Sequence, residues 1–341
     1  MKPVSWQDLR VKAARQPRRI ILAEGEDRRV IQAAQALQTE KIAHPILIGS
    51  RQKIAQICQQ LGSDSRSLEC VDFQELSSAE KSDLAETWRS LPRNKQQTPE
   101  EALTRVADPL VLGSLYLKKG KVDGFVGGAT RTTADTLKAI FNVIGLAPKT
   151  STLFGFFFLQ RRAEAGSGGM VLLADCAVMP EPSAKQLSNI AIGAADAYQF
   201  FLADQPKIAF LSFSTLGSAS HPMVDKVREA VAMTREKAPN LAVEGEWQAD
   251  TALDSFTAGI KGAGNSPMAG QANVLIVPDL NCGNIAYKLV QRIGQVRAVG
   301  PVLWGTAQPA NDLSRGCSAD DIVDMAALTA LQAQKSQPVL S

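Results

Sequence analysis

The sequence predicts an α/β fold with mostly parallel sheets, and three observations predict it. Short continuous apolar runs recur along the chain, as in strands buried on both faces. Amphipathic segments of helical spacing separate those runs, which is the strand–helix alternation of a parallel sheet covered by helices. The length of 341 residues corresponds to two domains of roughly 150 residues each. In order, Arg19–Ala23, Pro45–Gly49, Gly124–Gly127, Met170–Ala174, Ile208–Phe213, Val274–Pro278 and Val302–Gly305 read as strands, with a further apolar strand starting near 153. Arg28–Glu40, Ser183–Ala203, Met223–Lys237 and Ile285–Arg292 read as helices. The polar stretch Ser77–Glu101 reads as a helical pair followed by a loop, and a breakpoint is expected at Gly145–Thr150. Gly262–Gly270 reads as a long loop feeding straight into a strand.

Composition excludes several function classes. Hydrophobic residues make up 45% and charged residues 21%, enough to build cores and too apolar for a disordered chain. A net charge of +3 is too mild for a general nucleic-acid binder. The apolar stretch Leu153–Leu159 is far shorter than the ~20 residues of a membrane span, so no membrane partner is expected. The first residues carry basic groups without an apolar core, so no signal peptide is expected. Five scattered cysteines without a CxxC pair, and only two histidines, argue against a zinc site and for reduced thiols in the cytoplasm.

Four segments share one design: a strand end, a turn rich in Gly, Ser or Thr, and a helix start. They are Gly127–Lys138 (GGATRTTADTLK), Ser212–Pro222 (SFSTLGSASHP), Pro278–Lys288 (PDLNCGNIAYK) and Asn311–Asp321 (NDLSRGCSADD). Free N–H groups, hydroxyls and a helix N-terminus together favour an anion. A single such turn is usually only an N-cap; four in one chain point to a polyanionic or phosphoryl-bearing ligand. None fits the P-loop spacing, and no GxGxxG follows the first strand. In the last segment Asp321 has two readings from spacing alone. It can close an S-x-x-D capping box from Ser318, or it can serve as a general base beside Arg315 and Ser314. Cys317 lies in the same turn, but the chain offers almost no histidine to activate it, so covalent cysteine catalysis is disfavoured. Cys176 reads as packing and His221 as a local hydrogen-bonding residue.

These segments, with AEGEDRRV at 23–30, ADCAVMPEPSAKQL at 174–187, EGEWQADTAL at 244–253, SPMAGQANVLIVPDLNCGNIAYKLVQR at 266–292 and GPVLWGTAQPANDLSRGCSADDIV at 300–323, resemble the phosphate acetyl/butyryltransferase family over nearly the whole chain. The resemblance implies reversible transfer of acetyl between coenzyme A and inorganic phosphate, with acetyl-CoA, phosphate and acetyl phosphate as small-molecule substrates. It implies direct thiolate attack in a ternary complex and neither a metal nor a bound cofactor. It also implies a homodimer of two-domain α/β/α subunits of the isocitrate/isopropylmalate dehydrogenase type, with the active site in the interdomain cleft. The expected domains are 1–147 plus 301–341, discontinuous, and 148–300, which would carry dimerisation.

Carried over by the resemblance, Asp321 is the base for the CoA thiol, Arg315 holds phosphate and the developing oxyanion, and Ser314 donates to the same oxygen. Thr130, Thr132, Thr133, Ser212, Ser214 and Thr215 form a phosphate and acyl-phosphate cradle, with Lys138, Asn284 and Arg93 as further substrate-binding residues. The chain departs from the family's L-R-x-x-K-G at Leu91–Gln96, where Arg93 is shifted by one, and from T-L-R-P at Thr136–Ala139, where Lys138 keeps a charge without the bidentate fork. Leu216 stands where a lysine is common. Two other functions stay open: a butyryl- or propionyl-preferring transferase, and a non-catalytic acyl-CoA-sensing domain. The presence of Ser314, Arg315 and Asp321 counts against the second. An oxidoreductase of the same fold would need clustered metal-binding aspartates, which the sequence does not show.

Overall fold

Among the described residues eleven strands build two sheets. The computed structural model describes residues 4–148, 150, 152–161 and 169–334. Contacts divide these into two units: Trp6–Pro148 with the described part of Thr306–Gln337, and the described part of Lys149–Gly305. In the first unit β1 (Arg19–Leu22), β2 (His44–Ile48), β3 (Glu69–Val71), β4 (Gly124–Gly127) and β11 (Ala310–Asp312) form an all-parallel sheet of order β11-β4-β1-β2-β3. The central strands are buried throughout, with Ile20, Ile21, Leu22 and Phe125 among the most enclosed side chains. That burial on both faces is why these runs are continuous rather than alternating.

The second unit holds β5 (Phe154–Gln160), β6 (Met170–Ala174), β7 (Lys207–Leu211), β8 (Ala242–Trp247), β9 (Val274–Ile276) and β10 (Ala298–Trp304), in the order β10-β5-β6-β9-β7-β8. Here β5 runs antiparallel to both β10 and β6, and the remaining pairs are parallel. The period of two along β5 explains its phenylalanines. Phe156 and Phe158 meet Phe201 edge-on at 6.3 and 5.7 Å, while Phe157 points to the opposite face and stacks on Tyr287 at 3.8 Å.

The sequence reading needs four corrections. The expected domain boundary at 300/301 falls inside β10, and the chain re-enters the first unit only at Thr306. β10 is the edge strand of its sheet and shifts register between Val299 and Val302, so the missing N–H of Pro301 is tolerated. Residues 335–341 of the expected first domain lie outside the described residues. Three strands, β3, β8 and β11, fall outside the runs that read as strands. The 285–292 helix begins earlier, at Leu280, capped by Asp279, whose side chain accepts from the Cys282 N–H. In the polar 77–101 stretch the loop lies between the two helices, Ser78–Ser90 and Pro99–Val106, each opened by a capping box. Among the described residues no helix is long and apolar enough to cross a membrane.

Candidate active site

In the first unit three neighbouring parallel strands, β1, β4 and β11, each end in a loop, so the loops 23–27, 128–132 and 313–318 emerge side by side. In α/β sheets ligands bind beyond the carboxyl ends of strands. Two side chains tie the loops together. The Glu24 carboxylate accepts from the N–H groups of Gly128 at 2.9 Å and Thr130 at 3.3 Å. Arg29 spreads its guanidinium across all three loops. Nη1 donates to the carbonyls of Arg315 and Cys317 at 2.8 and 2.9 Å, Nη2 to the Ala129 carbonyl at 2.8 Å, and both Nε and Nη2 to Asp27. Asp27 in turn caps the helix Arg28–Thr39. The sequence reading assigned Glu24 and Arg29 no role, and its one available signal was the D-x-R placed at a helix start.

The loop after β4 turns at Gly128, with φ +102°. A Cβ there would collide with Asp312 and with the backbone of Leu313, so only glycine lets β4 and β11 deliver their loops this close. Thr132 caps the helix Thr133–Val143, accepting from the Asp135 N–H at 3.1 Å and donating to its carboxylate at 2.7 Å. Thr130 is exposed and Thr133 half-buried at the first helical position. Further along the same helix Lys138 is exposed, and Arg93 reaches Asn142, one turn beyond it, at 3.4 Å. Arg93 and Lys138 therefore serve the same stretch of helix.

The loop after β11 carries Ser314 and Arg315 and leads into the helix Ala319–Gln334, whose first turn carries Asp321. Cys317 N–H donates to the Ser314 carbonyl at 2.9 Å and Gly316 N–H to the Ser314 hydroxyl at 3.4 Å, which leaves that hydroxyl's own proton free to donate. The Arg315 side chain is exposed and pairs with no acid among the described residues. Asp321 closes the capping box: its Oδ2 accepts from Ser318 N–H at 2.9 Å and from the Ser318 hydroxyl at 2.8 Å, and its own N–H donates back at 3.1 Å. Its Oδ1 accepts from no described residue. The capping reading is thus observed, and it consumes only one carboxylate oxygen. Burial pushes the Cys317 thiol up to about 12, outweighing the nearby Arg29, which disfavours its thiolate at neutral pH.

The remaining predicted residues lie on the second unit. Ser212 is half-buried, and its hydroxyl accepts from the Ser214 N–H at 3.3 Å. Ser214 is fully buried, donates to Glu246 at 2.8 Å and accepts from the Ala219 N–H at 3.1 Å. Thr215 is buried and bonded to Gln248 and Thr251. The Ser214 and Thr215 hydroxyls are thus spent holding their loop rather than offered to a ligand. Glu246 also accepts from Gly217 N–H at 2.9 Å and from Arg228 at 2.9 and 3.1 Å. Asn284 is half-buried on the helix Leu280–Arg292. His221 caps the helix Pro222–Lys237, its Nδ1 accepting from Met223 N–H.

The sequence model of the phosphate acetyl/butaryl transferase family matches residues 6–330. The chain belongs to this family. It is therefore an acyltransferase by descent, and its relatives narrow the comparison. A protein of Clostridium acetobutylicum named phosphate acetyltransferase is 43% identical over 324 residues, covering 95% of this chain and 96% of that one. A namesake from Paracoccus denitrificans is 40% identical over 336 residues, 97% and 99% of the two chains. Among solved structures, a phosphotransacetylase from Streptococcus pyogenes superposes with a TM-score of 0.84 at 37% identity, covering 98% of this chain and all of that one. A branched-chain phosphotransacylase from Enterococcus faecalis shares the fold at a TM-score of 0.63 and 18% identity, covering 93% and 98%.

Proposed function

We propose that this acyltransferase interconverts acetyl-CoA plus phosphate with acetyl phosphate plus CoA. The observation that carries the reading is the loop after β11. It holds a guanidinium with no acid partner among the described residues (Arg315) and a hydroxyl with its proton to give (Ser314), and the helix it enters brings a carboxylate with one oxygen that accepts from no described residue (Asp321). In the direction of thioester synthesis, Asp321 takes the proton from the CoA thiol, because the thiolate is the nucleophile. The sulfur attacks the acetyl carbonyl carbon, Arg315 and Ser314 stabilise the charge on its oxygen, and the C–O bond to phosphate breaks. Thr130, Thr132 and Thr133, at a helix N-terminus, receive the phosphoryl group. Arg93 and Lys138 add positive charge for the anionic part of CoA. Ser212 and Asn284 are candidate polar groups of the second unit considered by itself, where Ser214 and Thr215 shape the Ser212 loop. No metal or bound cofactor enters this scheme.

The test is thioester formation from CoA and acetyl phosphate, with butyryl phosphate as competitor. Turnover with a higher kcat/KM for acetyl phosphate is expected. Preference for butyryl phosphate would reassign the acyl group, and binding of acyl-CoA without turnover would make the chain a sensing domain.

The five free thiols support a reducing, cytoplasmic setting. We also propose a homodimer formed through the second unit. There the helix Leu280–Arg292 and the residue after it expose Ile285, Leu289 and Ile293, four apart on one stripe, and Phe256 and Ile260 are 77% and 71% exposed. Such a stripe left to water normally marks an interface. Light scattering should return twice the chain mass, and Leu289→Asp with Ile293→Asp should return the monomer. A wild-type monomer at assay concentrations would remove the proposal.

A further inference from the structure

Asp312 ends β11 and is fully buried; the Thr133 and Thr136 hydroxyls and the Leu313 N–H, itself bonded to the Gly127 carbonyl, approach its carboxylate, none in good hydrogen-bonding geometry. A buried acid whose donors are poorly placed is costly as an anion and comfortable as a neutral acid. Its surroundings explain which partners remain. From β4 and the turn after it come only Gly127 and Gly128, the latter pressed against Oδ1. From the helix Thr133–Val143 come the hydroxyls of Thr133 and Thr136. The Thr136 hydroxyl donates to the Thr132 carbonyl at 3.3 Å, whereas the Thr133 hydroxyl has no other described partner. The charged group facing Asp312 is Glu24, itself next to Arg29 and Arg131. On the helix Ala319–Gln334, also packed on β11, Asp320 and Asp324 pair with Arg10, and Asp321 is bonded to Ser318.

Two carboxylates therefore meet under the β4 loop, Asp312 fully buried and Glu24 half-buried. Burial raises both. Glu24 has backbone N–H groups to hold its charge, while Asp312, pressed further by Glu24, is pushed up to about 7.

We propose that Asp312 is a positioning residue for the phosphoryl end of the acyl phosphate, acting through Thr133. As a neutral acid it donates its hydrogen to Thr133 Oγ1, which turns the Thr133 O–H outward to a phosphoryl oxygen. As a carboxylate, after losing that proton to solvent, it draws the Thr133 O–H to itself and the outward donor is lost. The inference rests on the proposed phosphoryl site at Thr130–Thr133 and adds the group that orients one of its donors.

The test is the pH dependence of KM for acetyl phosphate between pH 6 and 9 at saturating CoA, a range over which acetyl phosphate stays a dianion. In the wild type KM should rise about tenfold toward alkaline pH, which is the worth of one hydrogen bond to a charged group. Asp312→Asn, whose amide can donate to Thr133 at any pH, should hold KM near the wild-type value at pH 6 throughout. Thr133→Val should hold it near the wild-type alkaline value throughout. A flat wild-type profile overturns the inference even if Asp312→Asn does not fold. So does a slope that survives Asp312→Asn or Thr133→Val, or a KM raised equally at every pH in a folded Asp312→Asn protein. Each of these outcomes presumes turnover, so a chain with no thioester formation at all would strike at the proposed function and not at Asp312 alone.

Discussion

Asp321→Asn is expected to lower kcat for thioester formation by ~10²–10⁴-fold, the usual worth of a positioned general base. The same substitution should cost no more than ~1 kcal/mol of stability, the scale of a helix-terminal charge. The asymmetry follows from the geometry. Asparagine still presents an oxygen to Ser318, so the capping box survives in outline, and only the charge at the helix start is lost. What it cannot do is accept a thiol proton. Ser318→Ala is the control in the other direction: it removes the cap and leaves the carboxylate. If Asp321 mattered only as a cap, the two variants would lower kcat alike and shift the urea midpoint alike. The expected result is a collapse of kcat in the first and a modest midpoint shift in the second. An Asp321→Asn protein that keeps its rate would reduce Asp321 to its structural part.

That control is needed because the sequence itself could not separate the two readings. S-x-x-D is what a capping box requires and also what sets an acid close in sequence to Ser314 and Arg315; the cap takes Oδ2 and leaves Oδ1 without a described donor. Elsewhere legibility followed the range of the interaction. The continuous run of β5 and the caps at Asp27 and Ser183 are local, and they announce themselves. The three-residue β11 does not, because Ala310–Asp312 becomes a strand only by pairing with β4, almost two hundred residues earlier. Arg29 illustrates the same limit at the site. Its bonds to Arg315 and Cys317 span 286 and 288 positions, and no local pattern reports a side chain whose partners arrive from the far end of the chain. Ser214 and Thr215 were visible as hydroxyls in a promising loop, but their direction, inward to Glu246 and Thr251, is a matter of packing.

Glu246→Ala is expected to destabilise the protein by ~3 kcal/mol at pH 7, because it unpairs several groups around a buried carboxylate. Glu246 is 3% exposed; burial pushes its carboxyl up, but Arg228, the Gly217 N–H and the Ser214 hydroxyl outweigh burial and hold it at about 2. Arg228 is itself 40% exposed, so water screens part of that attraction and most of the loss is assigned to the hydrogen bonds. Since the folded value lies below the ordinary one of 4.5, the charge contributes fully above that pH and is lost as pH falls through about 2. Glu246→Gln, which keeps the shape and drops the charge, should therefore trail the wild type by ~1–2 kcal/mol at pH 7, within the range of a hydrogen bond to a charged group. That gap should close between pH 4.5 and 2 in denaturant titrations, and a gap independent of pH would show that the charge is not what Glu246 supplies. The loop has a second stake in this residue. Leu216 sits at φ +48°, a left-handed conformation that costs a non-glycine residue ~1–2 kcal/mol. It is held there by its N–H on the Glu246 carbonyl at 3.3 Å and by the neighbouring Gly217 N–H on the carboxylate. With the carboxylate gone, the turn loses the bond that offsets its strain and is free to relax, carrying Ser212 with it. The alanine variant should then raise substrate KM at temperatures where it is still folded, beyond anything its lost stability explains.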